Sequence, residues 1–131
     1  MKIMKINDFL IINCIGENDR LGLRINKDFF IHNLYKKKNY KTNLVYEIHS
    51  FLNIHKADLS EKFSVIVNQG PGSFSGIRAS LAIAKGLEIS KKTKLYGYKS
   101  TDLSIFDQES IEYLLSGNLV EKNLIKPIYL S

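Results

Sequence analysis

Short stretches of alternating or continuous apolar residues open the chain and predict a three-stranded meander. Phe9–Ile15 is an apolar run closed by Gly16, which predicts a buried strand. Leu21–Lys27 alternates between apolar and polar residues, so it predicts a half-buried strand. Asp28–Tyr35 predicts a third strand after a turn, and strands this close along the chain pair as antiparallel neighbours.

Helical and strand-like patterns alternate through the middle of the chain. A helix is predicted over Thr42–His55, capped by its first residue or by Asn43, because apolar residues recur there at helical spacing. Phe63–Asn68 is rich in β-branched residues and predicts a central strand covered on both faces. A helix over Ile77–Ser90 and a strand over Lys94–Lys99 follow. This order predicts an α/β fold, with helices packed on a mixed sheet that contains the antiparallel meander.

The pattern weakens after residue 100. Ser100–Phe106 predicts a helix capped by one of its first two residues, and Ser110–Ser116 predicts another helix. Ile125–Leu130 contains a proline and predicts an extended segment at a sheet edge. We therefore predict one lobe over residues 1–100 and a remnant C-terminal segment over residues 101–131.

Composition narrows the class of protein further. The longest uncharged apolar stretch, Phe9–Gly16, is far shorter than the roughly 18 residues that a membrane helix needs, so no membrane association is expected. The single cysteine, Cys14, cannot form an internal disulfide, and the reducing cytoplasm is the compartment we expect.

The charge balance leaves two interpretations. The chain has 19 basic and 13 acidic residues, a formal net charge of +6, but only three of the basic residues are arginine. Because arginine is the usual choice for phosphate and base-edge recognition, we interpret the excess as a solvated lysine-rich surface. The alternative is a direct RNA-binding module that uses Lys36–Lys41 and Lys91–Lys94. It ranks last because the sequence offers no stacking platform of arginine and aromatic residues.

A glycine-rich turn precedes the Ile77–Ser90 helix. Its glycines, Gly70, Gly72 and Gly76, permit positive φ angles and close approach of another group. Ser73 or Ser75 can cap the N–H groups at the start of the helix. The turn therefore predicts either an anion cradle or a tight connection that docks helix on strand. It matches neither the phosphate-binding P-loop nor the dinucleotide fingerprint. A small nucleotide- or anion-binding enzyme built on this turn is the alternative function.

The helix after the turn is apolar on two sides. One side can cover the sheet and consists of Ile77, Leu81, Ala84 and Leu87. The other side is made of small residues and consists of Ala79, Ala82, Ile83 and Gly86. A helix with two apolar sides is normally buried on both. Either the Thr42–His55 helix or another subunit must then cover the second side, and a second copy of the chain is one such subunit.

At this segment the sequence resembles a known family. Gln69–Arg78, followed by the small-residue helix over Ala79–Leu87, is similar to the signature of the bacterial TsaB (YeaZ) family. The family form is G-P-G-S-F-T-G-L-R and then a helix containing A-K-G-L. Ser75 stands for the usual threonine and Ile77 for leucine. The segment Pro127–Leu130 resembles the P-x-Y-L ending of family members.

The resemblance implies both a fold and a function. The implied fold is the N-terminal lobe of an actin-like ATPase (ASKHA, ribonuclease H-like). The implied function is that of a non-catalytic accessory subunit in the biosynthesis of threonylcarbamoyladenosine (t6A) in transfer RNA. Family members bind the catalytic subunit TsaD through the two helices of this lobe. A TsaE-type ATPase joins the complex, and transfer RNA is contacted indirectly. No cofactor is implied for this chain.

The predicted partner-binding residues combine the resemblance with the helix pattern. Glycines shape the turn, small residues give a close-packed surface, and Arg78 lies at its rim as an ion-pair partner. The predicted set is Gly72, Ser73, Phe74, Gly76, Arg78, Ala79, Ala82, Ile83 and Gly86.

The sequence departs from the family in two places. Asn13-Cys14-Ile15 occupies the position of the usual Asp-Thr-Ser, so any metal or phosphate site there loses its carboxylate. Only about 30 residues follow Ser100, so a second lobe is largely missing and ATP hydrolysis by this chain is not expected. We interpret it as a shortened member, and a degenerate homologue is an alternative. The histidines His32, His49 and His55 are not at metal-ligand spacing, and no catalytic or metal-binding residue is predicted.

Overall fold

A computed structural model of the chain describes residues 6–16, 18–34, 43–117 and 125–128. Among these residues, five strands form one sheet in the order β3-β2-β1-β4-β5. The strands are β1 (Phe9–Asn13), β2 (Arg20–Ile25), β3 (Asp28–Asn33), β4 (Ser64–Asn68) and β5 (Lys94–Tyr98). The helices are α1 (Leu44–Ile54), α2 (Phe74–Lys91) and α3 (Gln108–Ser116), and a single 3₁₀ turn spans Ser100–Asp102.

The sheet is mixed, as the sequence predicts. Strands β1, β2 and β3 form an antiparallel meander, whereas β1 pairs in parallel with β4 and β4 with β5. Strands β1 and β4 lie at the centre, and nearly every residue in them is buried. Because side chains alternate along a strand, each of these strands contributes to two separate cores.

Helices cover both faces of the sheet. On one face, α1 and α2 pack through residues at helical spacing, among them Phe51 of α1 and Leu81 of α2. On the other face, α3 packs Ile111 and Leu114 against β-strand residues such as Phe9. Burial of apolar area on both faces, at about 25 cal/mol per Å², is the main stabilising contribution to this fold.

The start of α2 differs from the prediction. The helix begins at Phe74, three residues before Ile77. Ser73 occupies the N-cap position, but its hydroxyl makes no capping hydrogen bond, so the predicted role of that side chain is wrong. Instead its backbone N–H donates to the carbonyl oxygen of Ile15 at 2.6 Å. The turn is thus held by the backbone that follows β1.

The predicted helix over Ser100–Phe106 is wrong. Only the 3₁₀ turn over Ser100–Asp102 forms, with Lys99 at its N-cap. The Ser100 hydroxyl donates to the carbonyl oxygen of Pro71 at 2.8 Å and therefore does not cap a helix. The helix predicted over Ser110–Ser116 is present and starts two residues earlier, capped by Asp107.

The segment after α3 returns to the glycine turn. Residues 125–128 form no strand, but Ile128 donates its N–H to the Gln69 carbonyl oxygen at 2.7 Å. The Gln69 side chain donates to the Lys126 carbonyl oxygen at 3.0 Å. The rest of the predicted edge segment, through Leu130, lies outside the described residues.

The predicted division into a lobe over residues 1–100 and a remnant over residues 101–131 stays a prediction. Helix α3, which follows residue 100, packs on the same sheet as the helices that precede it. Within the described residues, no helix has the length and apolarity to cross a bilayer.

Candidate partner-binding face and glycine turn

The glycine turn needs its glycines for two different reasons. Of Gly70, Gly72 and Gly76, only Gly70 has a positive φ angle, +104°, and an added Cβ there would lie 2.6 Å from the carbonyl oxygen of Ile128. Its N–H donates to Asn68 Oδ1 at 2.8 Å. Neither Gly72 nor Gly76 adopts a positive φ angle, so within the turn that conformational freedom is used at Gly70 alone.

Gly72 and Gly76 permit close contact with the chain that follows β1. An added Cβ on Gly72 would lie 2.6 Å from the Cβ of Ile15, and one on Gly76 would lie 2.5 Å from the carbonyl oxygen of Cys14. Together with the Ser73–Ile15 hydrogen bond, these contacts hold the first turn of α2 against the residues that follow β1. This arrangement is typical of a docking turn and favours it over the anion cradle.

The second side of α2 is exposed. Ala79, Ala82 and Gly86 lie open to solvent, and an added Cβ on Gly86 would meet no atom within 4 Å. Ile83 is half-buried because it packs against the α1–α2 core. The first helix therefore shelters part of this side and does not cover it. We call the surface formed by Ala79, Ala82, Ile83 and Gly86 the small-residue face.

Larger apolar side chains are also exposed on the same two helices. Ile89, at the end of α2, is 80% exposed, and Phe74, at its start, is 53% exposed. On α1, which packs on the same side of the sheet, Val45 and Tyr46 are exposed as well. The sequence analysis included Phe74 but missed Val45, Tyr46 and Ile89, although Ile89 follows Gly86 at helical spacing and could have been found.

The predicted site residues fall into two groups. Gly72, Ser73 and Gly76 face the segment after β1 and shape the turn. The remaining six lie on α2 and, apart from the half-buried Ile83, are exposed: Phe74, Arg78, Ala79, Ala82, Ile83 and Gly86. The Arg78 guanidinium lies over the Phe74 ring, 5.0 Å from its centroid, which holds a cation beside the exposed aromatic side chain.

Two of the three histidines join β3 to α1. His32 Nε2 lies 2.8 Å from Glu47 Oε2, and the His55 ring stacks on Phe30 with centroids 3.8 Å apart. Within the described residues, no three His, Cys, Asp or Glu side chains come close enough to hold a metal ion.

Polar side chains meet where β1, β4 and β5 end. Asn68 Nδ2 donates to Asn13 Oδ1 at 2.7 Å, and the Tyr98 hydroxyl lies 3.4 Å from the same oxygen. Burial raises the pKa of the Tyr98 hydroxyl far above its ordinary value, and the pKa of Tyr96 is raised for the same reason. The Tyr98 hydroxyl therefore stays protonated in the folded chain at alkaline pH.

We expect Tyr98 to make the fold sensitive to alkali. Above about pH 10 the unfolded tyrosine releases its proton while the folded one keeps it, so the free energy of unfolding falls as pH rises. Urea unfolding at pH 9 and at pH 11 should show a total decline for Tyr98→Phe that is smaller than that of the wild type by about 1.4 kcal/mol over the whole interval. Equal slopes would contradict burial of this hydroxyl.

Comparison with known proteins places the chain in a family. No family model matches it. It is 30% identical to the tRNA threonylcarbamoyladenosine biosynthesis protein TsaB of Bacillus subtilis over 95 residues, which are 72% of this chain and 37% of that protein. It is 36% identical to TsaB of Buchnera aphidicola over 53 residues, 40% of this chain and 24% of that protein. The chain belongs to the TsaB (YeaZ) family.

Solved TsaB-family structures share the fold. YeaZ from Pseudomonas aeruginosa superposes with a TM-score of 0.64 at 18% identity, covering 81% of this chain and 49% of that one. A second structure, described as an uncharacterized protein with similarity to peptidase YEAZ from the same organism, gives 0.63 at 18% identity, covering 81% and 48%. The sheet and helices thus confirm the predicted actin-like α/β lobe. The chain spans about a third of the length of the Bacillus relative and about half of the YeaZ chains.

Proposed function

We propose that this chain is a non-catalytic accessory subunit in the biosynthesis of threonylcarbamoyladenosine in transfer RNA, and that it binds a TsaD-type catalytic subunit. Both curated relatives are named for this pathway, which supports the first part. The exposed small-residue face of α2 is the observation that carries the second.

The geometry of this face suits a helix of another subunit. Ala79, Ala82 and Gly86 recur at helical spacing and lack long side chains, so a partner backbone can approach closely. Phe74 and Ile89 lie at the two ends of α2 and would bury large apolar area around the close contact. The pairing of Arg78 with Phe74 offers a cation at the rim.

The other partners follow from the same proposal. A TsaE-type ATPase would join the assembled pair, and transfer RNA would be contacted through the complex. When the catalytic subunit is absent, a second copy of this chain would bind the small-residue face instead. The fold of the glycine turn supports a docking role for it, and we assign it no catalytic step.

Co-purification tests the proposal. The full chain, tagged at one end and produced together with the TsaD-type subunit of the same cell, should elute as one complex whose mass by light scattering equals one copy of each. When each protein is run alone, its mass should be that of its own monomer or oligomer and not that of the one-to-one complex. Elution of the two proteins as separate species at micromolar concentration would contradict the proposal.

A further inference from the structure

Residues 125–128, which we call the strap, lie against the residue that precedes the glycine turn. The N–H of Ile128 donates to the carbonyl oxygen of Gln69 at 2.7 Å, and Gln69 Nε2 donates to the carbonyl oxygen of Lys126 at 3.0 Å. Gln69 therefore binds the strap through its backbone and its side chain together. Because the Gln69 side chain is buried, its amide donor depends on the Lys126 carbonyl for a hydrogen bond.

Two glycines make room for this contact. An added Cβ on Gly97, within β5, would collide with Gln69 Oε1, so the glycine leaves space for the Gln69 side chain. An added Cβ on Gly70 would lie 2.6 Å from the carbonyl oxygen of Ile128. At its other end the strap is anchored by Ile125, which is buried in the core shared with α1 and α2. The glycine turn and β5 thus leave the space that the strap and the Gln69 amide fill.

Gly70 connects the strap to α2. The same added Cβ would lie 2.8 Å from Cδ1 of Ile77, in the first turn of α2, so Gly70 is packed between the strap and the helix. The Gly70 carbonyl oxygen accepts the N–H of Ser100 at 2.8 Å. The glycine turn is therefore held by Ser100 and by the strap. Displacing the strap would remove one of these two supports next to the start of α2.

The strap itself is held by few contacts. Lys126 is exposed, and Pro127 and Ile128 are only half-buried. A segment with few buried contacts opens at a lower free energy than a buried central strand such as β4. The strap can therefore detach while the sheet stays folded.

We propose that the strap is a conformational lock on the glycine turn. When it is docked, it holds the glycine turn and the first turn of α2 in one conformation. When it is detached, both turns become mobile while the sheet remains intact. Because the exposed Phe74 lies in this first turn of α2, the docked strap also favours binding of the TsaD-type subunit. That consequence rests on the proposed function, whereas the lock itself does not.

Amide hydrogen exchange of the ¹⁵N-labelled full chain, followed by NMR in increasing urea, tests the lock. The N–H groups of Ser100 and Ile128 should exchange with the same protection, at rates that low urea hardly changes, because opening of the strap exposes little surface. The N–H of Ile66, within β4, should exchange more slowly and respond steeply to urea, since it requires unfolding of the sheet. A response at Ser100 and Ile128 as steep as that of Ile66 would overturn the proposal.

Two variants at Ile128 test the same contact directly. Ile128→Pro removes the donated N–H, whereas Ile128→Ala shortens the side chain and keeps the N–H. Exchange at Ser100 should be about tenfold faster in Ile128→Pro than in Ile128→Ala, because one support of the glycine turn is lost. Equal exchange at Ser100 in the two variants would overturn the lock. If Ile128→Pro fails to fold, the urea dependence of the wild type decides.

Calorimetry with the TsaD-type subunit tests the consequence for binding. Ile128→Pro should bind several-fold more weakly than Ile128→Ala, since the first turn of α2 is less often in the conformation that binds. Equal affinities of the two variants would overturn the effect of the strap on the partner. Failure of the wild type to bind would contradict the proposed function alone, because the exchange measurement on the free chain still tests the lock.

Discussion

Glutamate in place of Ala82 is expected to weaken binding of the TsaD-type subunit about a hundredfold or more. Ala82 is exposed in the free chain, so the substitution creates no clash within the fold. In the complex, the carboxylate would be removed from water at the centre of a close helix contact, where a charge without a partner costs several kcal/mol. Arg78 lies one turn away and can pair with the new carboxylate. This pair would stabilise the helix of the free chain, but it would not remove the steric clash between the glutamate side chain and the partner helix.

Two further variants isolate the cause. Ala82→Gln has nearly the same size without the charge, so it should bind more weakly than the wild type and more tightly than Ala82→Glu. Tyr113→Glu places a carboxylate at an exposed position of α3, on the other face of the sheet, and should leave the affinity unchanged. Isothermal titration calorimetry measures all three. Binding by Ala82→Glu within about twofold of the wild type would exclude this face as the contact surface.

Replacing Gly76 with alanine is expected to lower the free energy of unfolding by about 3 kcal/mol. The added methyl group would lie 2.5 Å from the carbonyl oxygen of Cys14, which belongs to backbone and cannot rotate away. The first turn of α2 would have to separate from the segment after β1. The matched control is Gly86→Ala, where no atom lies within 4 Å, and it should raise stability by about 0.5–1 kcal/mol through helix propensity.

Urea denaturation followed by circular dichroism compares these two variants on one helix. The midpoint should fall for Gly76→Ala and rise for Gly86→Ala relative to the wild type. If Gly76→Ala were as stable as the wild type, the close approach of α2 to the end of β1 would be wrong.

Strands and helix faces that follow a local periodic pattern could be predicted from the sequence. The alternation in Leu21–Lys27 and the β-branched run in Phe63–Asn68 placed two strands whose ends lie within two residues of those of β2 and β4. The two apolar sides of Ile77–Ser90 indicated a face beyond what the sheet covers, and Ala79, Ala82 and Gly86 are indeed exposed. Both inferences need only the geometry of a single element.

Features that depend on distant neighbours could not be predicted in this way. Gly76 is required because Cys14 lies against it, and these residues are brought together by the pairing of β1 with β4. Ser100 seemed suited to cap a helix, but its hydroxyl binds Pro71 across the turn. The hydrogen bond from Asn68 to Asn13 likewise joins residues 55 positions apart. No local pattern carries that information.

The most direct measurement is solvent accessibility of methyl groups on the full chain with and without the TsaD-type subunit. Alanine and isoleucine methyl groups are labelled, and a soluble gadolinium chelate broadens the signals of those that water reaches. Binding should protect the methyl groups of Ala79, Ala82 and Ile83. The buried Ala84 and the exposed Ile105, on the opposite face of the sheet, should keep their free values. A complex in which the Ala79 and Ala82 methyl groups stay as accessible as in the free chain would contradict the proposed role of α2.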